Sequence, residues 1–441
     1  MNAQMKLKKL DIKGLSWGIF TCFVLFWYIY APNLIYMPVS VDKPLFLGFF
    51  LWAVIWQRHE LIKTVSNKDV LFLFAVYFVI FVYTFALDLI IVDGIGLSYH
   101  VSQYSLQYIP FSILLFLFMS SIYGEECLPT LFKFLLILVF LQSLLGLVMF
   151  IDPELKVSIY SIQAQDGIMY KGLITRGNGY ASGLLFSVPI LHGVMVATLL
   201  LSRLPMSILS KIVFVFIVTA VAITNARMAL VPIIIAMPFL ALRFSSLSGF
   251  ISISKVLMAV TILGSLIVML VPSNLISNDM FNSISKISNW LIGGYANVFG
   301  IEVSGNQDTI ADYLIHENSY VDDALIPLLF GTGENAFAAL KNQSDIGIIN
   351  LIRLGGFFYL LSVLSATYYL VFKGWVKARY LRYRVLILLL GISYFAASLK
   401  GIVFTEQLLG RFLVLICMFP ILDAIKHGSQ NFVQSGRWSK N

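Results

Sequence analysis

The sequence predicts an all-α polytopic membrane protein of about 12 transmembrane helices with one large polar loop, residues 1–441 forming a single domain. Three observations lead there. Of the 441 residues, 59% are hydrophobic and only 12% charged, with a mean hydropathy of +0.89. That leaves too little polar surface to clothe a water-facing globule, whereas lipid matches this much apolar side chain. Apolar runs of roughly 20 residues, the length that crosses a hydrocarbon core about 30 Å thick, recur along the whole chain. The runs are continuous, as at 70–91, rather than short and alternating. They read as helices, which satisfy their own backbone hydrogen bonds in lipid, and not as barrel strands.

Taken in order, the predicted spans are 14–37, 44–56, 70–91, 105–122, 131–151, 178–200, 211–225, 228–242, 256–272, 346–371, 384–402 and 409–425. The second is short. The seventh and eighth form a tight pair interrupted at Asn225, Ala226 and Arg227. Lys6, Lys8, Lys9 and Lys13 precede a first apolar stretch long enough to span, and no small-x-small cleavage site follows it, which argues against a cleavable signal peptide. With the amino terminus inside, roughly 20 of the 30 Lys and Arg residues fall in cytoplasmic loops. That bias places both termini in the cytoplasm and the long polar segments on the opposite side.

The net charge of +8 is distributed over short loops between helices. No basic block with interleaved aromatics tracks a phosphate backbone, so a nucleic-acid partner is not expected. Cys22, Cys127 and Cys417 fall within spans or on the cytoplasmic side and form no CxxC, which implies neither a disulfide framework nor a zinc site.

Two outer segments are long. The first, 152–178, holds Lys156, Lys171 and Arg176. The second, 273–345, is inserted between the ninth and tenth helices and is large enough for a small folded cap. Within it Met280, Ile284, Ile287 and Leu291 recur at helical spacing, with Asn282, Ser283, Lys286 and Asn289 elsewhere on the wheel. That pattern predicts a short amphipathic helix resting at the membrane surface. The stretch 307–314 begins another helix. Gly331–Thr332–Gly333 is a turn and not a phosphate loop, because neither Lys nor Ser/Thr follows at Walker spacing. The chain shows no pair of matching halves, the pointer to a secondary transporter.

Ionisable residues in or near spans are the first functional candidates, since each costs about 2.5–3.5 kcal/mol at a helix centre. Here they cluster at the outer end. Arg227 lies at the turn between two short spans, Arg353 about two turns into the tenth, and Lys400, Glu406 and Arg411 surround the last outer turn. Arg176 closes the first long loop. Cations at one depth suit an anionic ligand, and arginine offers phosphate a bidentate fork while staying charged when partly buried. Structural roles stand beside this reading: Arg353 can pair with Glu406 or Asp345, and Lys400 and Arg411 suit anchors or ion-pair partners. Most acids of the second loop read as solvated surface. The pair Asp322–Asp323 faces away from cytoplasmic nucleotide sugars, and no His/Cys cluster forms a metal site. His316 is a candidate general base.

The run Thr224–Asn225–Ala226–Arg227–Met228–Ala229–Leu230 resembles the Ser-Arg-x-x-Leu type turn of bacterial O-antigen polymerases and ligases. Lys171–Gly172 followed by Arg176–Gly177–Asn178 is similar to their basic Gly/Asn-containing segment. Leu329–Phe330–Gly331–Thr332–Gly333, then Ser344–Asp345–Ile346–Gly347 and Leu354–Gly355–Gly356, resemble the carboxy-terminal pattern of Wzy-type polymerases. In topology the likeness extends over most of the chain. The ligase branch carries a His-Asn-type motif where this chain has Ser344–Asp345, and the missing histidine favours the polymerase.

The resemblance implies a GT-C-like fold in the bacterial inner membrane and a glycosyltransferase site facing the periplasm. Its donor and acceptor would be glycans linked to undecaprenyl pyrophosphate, with membrane lipids around them and a chain-length regulator as a further candidate partner. Arg176 and Arg227, helped by Lys171 or Arg353, would hold the donor pyrophosphate. That clamp would supply the charge neutralisation otherwise given by a divalent metal, so no metal or other cofactor is expected. Asp345, by its place in the motif, then His316 and Glu317 are the candidates to position or deprotonate the acceptor hydroxyl. A ligase acting on lipid A-core is the close alternative. A flippase of lipid-linked sugars is the alternative from another class, and it predicts charges at the midplane rather than at one edge.

Overall fold

The computed structural model describes residues 12–32, 34–37, 41–90, 101–163, 187–202, 206–243, 325–331, 347–400 and 407–427. Among them every regular element is helical, and the one β contact is an isolated antiparallel bridge between Leu34 and Gln163. The chain begins with α1 (Ile12–Tyr30), α2 (Asp42–Trp56), α3 (Arg58–Val65) and α4 (Lys68–Ile90). A π-helical turn, Tyr104–Tyr108, leads into α5 (Ile109–Tyr123), followed by α6 (Cys127–Ile151) and a short α7 (Pro153–Ile162). Then come α8 (Ser187–Leu201), α9 (Ile208–Asn225) and α10 (Leu230–Arg243), the last two joined through a 3-10 turn at Arg227–Ala229. The described chain resumes with α11 (Leu325–Phe330), α12 (Gly347–Lys377), α13 (Leu381–Lys400) and α14 (Gln407–His427).

Six helical stretches among the described residues are long and apolar enough to cross a membrane, or seven if α2 and α3, bent by 107°, count as one. One of them, Val101–Ile151, runs 51 residues. It doubles back at its 3-10 turn Gly124–Glu126. The Tyr123 and Phe134 ring centres lie 5.9 Å apart, where a straight helix would set those positions about 16 Å apart along its axis. Helices stand at each predicted span where it is described; 256–272 and the predicted helices at 280–291 and 307–314 lie outside the described residues. The first helix is shorter than expected. It stops at Tyr30 because Pro32 has no N–H to give and Ala31 takes a positive φ of 40°. The first long polar segment also opens on α7, whose start Asp152 caps by accepting from the N–H groups of Glu154 and Leu155, both at 3.0 Å.

Ion pairs mark one end of the helix bundle. There Lys373 meets Asp69 at 3.0 Å, and Arg379 grips Asp423 with two bonds of 2.7 and 2.8 Å. At the opposite end, the Arg411 end, lie the last turn of α1 and the first turns of α2, α8 and α14. The helices differ in what covers them. In α14 89% of the spanning window is buried, so other helices surround it, whereas in α4 the figure is 28% and most of its sides face outward. The core therefore sits around α14, and side chains placed on its first turns are shielded from lipid and water alike.

Candidate functional site

Asp42 opens α2, and its carboxylate is buried at 1% exposure. Arg411, one turn into α14 and 4% exposed, reaches it with Nη2 at 3.0 Å from Oδ2. Gln107 donates its side-chain N–H to the same oxygen. Arg411 also donates through Nη1 to the Tyr28 carbonyl at 3.3 Å, and its guanidinium lies 5.5 Å from the centre of the Tyr108 ring. Tyr28 in turn stacks on Phe111 at 4.4 Å and donates to the Tyr108 carbonyl at 3.3 Å. Buried charges persist only when paired and hydrogen-bonded, and this pair is both. The other oxygen, Asp42 Oδ1, has no hydrogen-bond partner among the described residues.

The local backbone explains how Gln107 gets there. A π turn adds a residue to the helical repeat, which lets Tyr104 and Tyr108 both bury while Gln107 turns toward α2. Tyr104 then joins a second cluster. Its ring stacks on Tyr77 at 5.1 Å, and its hydroxyl lies 3.3 Å from that of Tyr394. A Cβ at Gly410 would fall 2.6 Å from the Tyr104 hydroxyl, so α14 comes this close only because position 410 has no side chain.

A third group lies between α1, α6 and α8. His192, 2% exposed, has the Tyr30 hydroxyl 3.2 Å from Nε2 and the Ser143 hydroxyl 3.2 Å from Nδ1. Both ring nitrogens are occupied. Its neighbour Gly193 packs directly on the Ala229 carbonyl, leaving no room for a Cβ. The 3-10 turn that carries Arg227 therefore sits at the level of His192.

The fourth feature joins segments distant in sequence. α12 is broken at Gly356, whose φ of 75° and ψ of −179° are not helical. Gly331 ends α11 with a φ of 83°, the left-handed geometry of the predicted turn. The two glycines meet the opposing backbones: Gly331 faces the Leu354 carbonyl, and Gly356 faces that of Leu329. Any Cβ would collide, and the positive φ favours glycine at both positions. Tyr83 donates to the Gly355 carbonyl at 2.7 Å, which satisfies one acceptor left by the break.

Of the predicted site residues, Arg227 stands in its 3-10 turn against α8, and Arg353 is half-buried in α12 less than a turn before the break. Arg411 has the ion-pair role expected for it, with Asp42 as the partner. Lys171, Arg176, His316, Glu317 and Asp345 lie outside the described residues, as does Glu406. Sequence reasoning missed Asp42, Gln107 and His192. An acid opening an apolar run and a lone imidazole within the span 178–200 were signals for two of them; Gln107 carried none. On α7, Lys156 lies 5.4 Å from the Phe150 ring centre, and burial holds its ammonium below the usual lysine range. Among the described residues no three His, Cys, Asp or Glu side chains come together to hold a metal.

Long apolar helices packed around a buried α14 define the class: this is a multi-pass helical membrane protein. No known protein family, no curated protein and no solved structure matches the chain.

Proposed function

We propose that the chain is an O-antigen polymerase, a glycosyltransferase that joins oligosaccharide repeat units carried on undecaprenyl pyrophosphate. One observation carries this reading. The two glycine-bearing segments behind the family resemblance, at 329–331 and 354–356, pack against each other. They do so on the half of the bundle that also holds the Arg227 turn. Motif residues brought together across a sequence gap are what a shared site requires.

In the proposed reaction an acceptor hydroxyl oxygen attacks the anomeric carbon of the donor glycan. The bond from that carbon to the pyrophosphate oxygen breaks, with inversion, and the hydroxyl proton passes to a base. Arg176 and Arg227, with Lys171 or Arg353, neutralise the charge that grows on the leaving pyrophosphate. Asp345 is the first candidate for the base, followed by His316 and Glu317. Because both substrates have lipid tails, the site belongs at a membrane interface. We place it on the periplasmic side of the inner membrane with both termini cytoplasmic, by the Lys and Arg bias of the loops.

Deleting the gene in its host separates the readings. Loss of a polymerase leaves lipid A-core bearing single repeats, whereas loss of a ligase leaves it bare. A bare core in the deletion strain, restored by the gene, would refute polymerisation.

A further inference from the structure

The segment 373–384 carries Lys373, Lys377, Arg379, Arg382 and Arg384 and no acid. Carboxylates neutralise two of these cations: Asp69 pairs with Lys373, and Asp423 pairs with Arg379. Lys377, Arg382 and Arg384 have no carboxylate partner among the described residues. Arg382 and Arg384 stand in the first turn of α13, where the helix dipole is positive and cations are disfavoured.

The arginines are nonetheless held in place. The Arg382 guanidinium lies 5.2 Å from the Tyr380 ring centre, and Arg384 lies 6.0 Å from that of Trp375. Arg384 also donates Nε to the Ala378 carbonyl at 2.9 Å. Arg382 Nε is buried and has no acceptor among the described residues. Lys377, Arg382 and Arg384 are each only partly buried, and cations held this way without carboxylates suit an anionic ligand. Around them Phe372, Trp375, Val376 and Leu381 are exposed apolar side chains, 39–66% accessible.

We propose that Lys377, Arg382 and Arg384 bind the phosphate of an anionic phospholipid, with its acyl chains lying along the exposed face of Trp375 and Leu381. The three cations supply N–H donors to the phosphate oxygens, and the aromatic platforms fix the guanidinium planes. The apolar surround distinguishes a lipid from free phosphate, which would gain nothing from it. This site lies at the end of the bundle opposite Arg411 and stands independently of the proposed polymerase activity.

The test is tryptophan quenching in nanodiscs of phosphatidylcholine, doped with either brominated phosphatidylglycerol or brominated phosphatidylcholine. The Trp375 signal is isolated by subtracting the Trp375→Phe protein. Phosphatidylglycerol should quench Trp375 several-fold more than phosphatidylcholine does. In the double variant Lys377→Gln/Arg382→Gln the excess should fall to the phosphatidylcholine level. Lys156→Gln, a cation on α7 at the other end of the bundle, should leave it unchanged, and Arg382→Lys should keep part of it. Equal quenching by the two lipids in the unaltered protein would overturn the proposal. So would an excess that survives in the double variant, or displacement of the lipid by inorganic phosphate alone.

Discussion

Arg411 and Asp42 form an ion pair of 3.0 Å that ties the last helix of the bundle to the second, with both side chains almost wholly buried. Gln107 and the Tyr28 carbonyl complete the group. Four chain segments are thereby held in one register. Lipid-facing packing is non-directional, so a polar pin of this kind is what fixes how helix ends align.

Removing one partner of the pair strands the other charge. Arg411→Ala or Asp42→Ala should each destabilise the detergent-solubilised protein by about 3–5 kcal/mol. The double variant should lose less than the sum of the singles. Denaturant unfolding of the four proteins in a double-mutant cycle measures this, and additive losses would show that the pair is not coupled.

His192 accepts and donates within one buried chain from Tyr30 to Ser143. His192→Phe should cost about 1–3 kcal/mol, because it leaves two buried hydroxyls unsatisfied. His192→Gln, which still hydrogen-bonds, should recover part of that loss. Melting temperatures of the two variants check the order.

Gly356 admits no side chain. Gly356→Val should part α11 from α12, since a Cβ there meets the Leu329 carbonyl. The Phe330 and Phe358 rings lie 5.6 Å apart across this contact. Cysteines placed at 330 and 358 should therefore cross-link in the parent protein and fail to do so with Gly356→Val. Equal cross-linking in both would mean that the contact does not depend on the glycine.

The proposed clamp depends on charge and on fork geometry. Arg176→Glu and Arg227→Glu should each abolish long-chain glycan in cells while protein levels persist. The corresponding lysine variants should retain reduced function, because lysine offers no bidentate fork. Long glycan in both glutamate variants would end the clamp hypothesis.

The positions of the helices were legible because run length and hydropathy are local properties. Stretches such as 70–91 and 131–151 correspond closely to α4 and α6. The early stop of α1 was written in Pro32, but the apolar run beyond it concealed the signal. The π turn at Tyr104–Tyr108 left no trace, since its sequence is as helix-compatible as its neighbours. Arg411 could be read as an ion-pair partner from its depth alone. Asp42 could not be named as its mate, because pairing between distant segments depends on how the helices assemble. The glycines at 331 and 356 were visible as a turn and a motif, but their contact belongs to the tertiary structure.

The most direct measurement is reconstitution of the purified protein in liposomes with undecaprenyl-pyrophosphate-linked repeat units, without added metal or nucleotide. The account predicts a ladder of lengthening lipid-linked glycans, lost in Arg227→Glu. Movement of repeat units across the bilayer with no new glycosidic bond would contradict it.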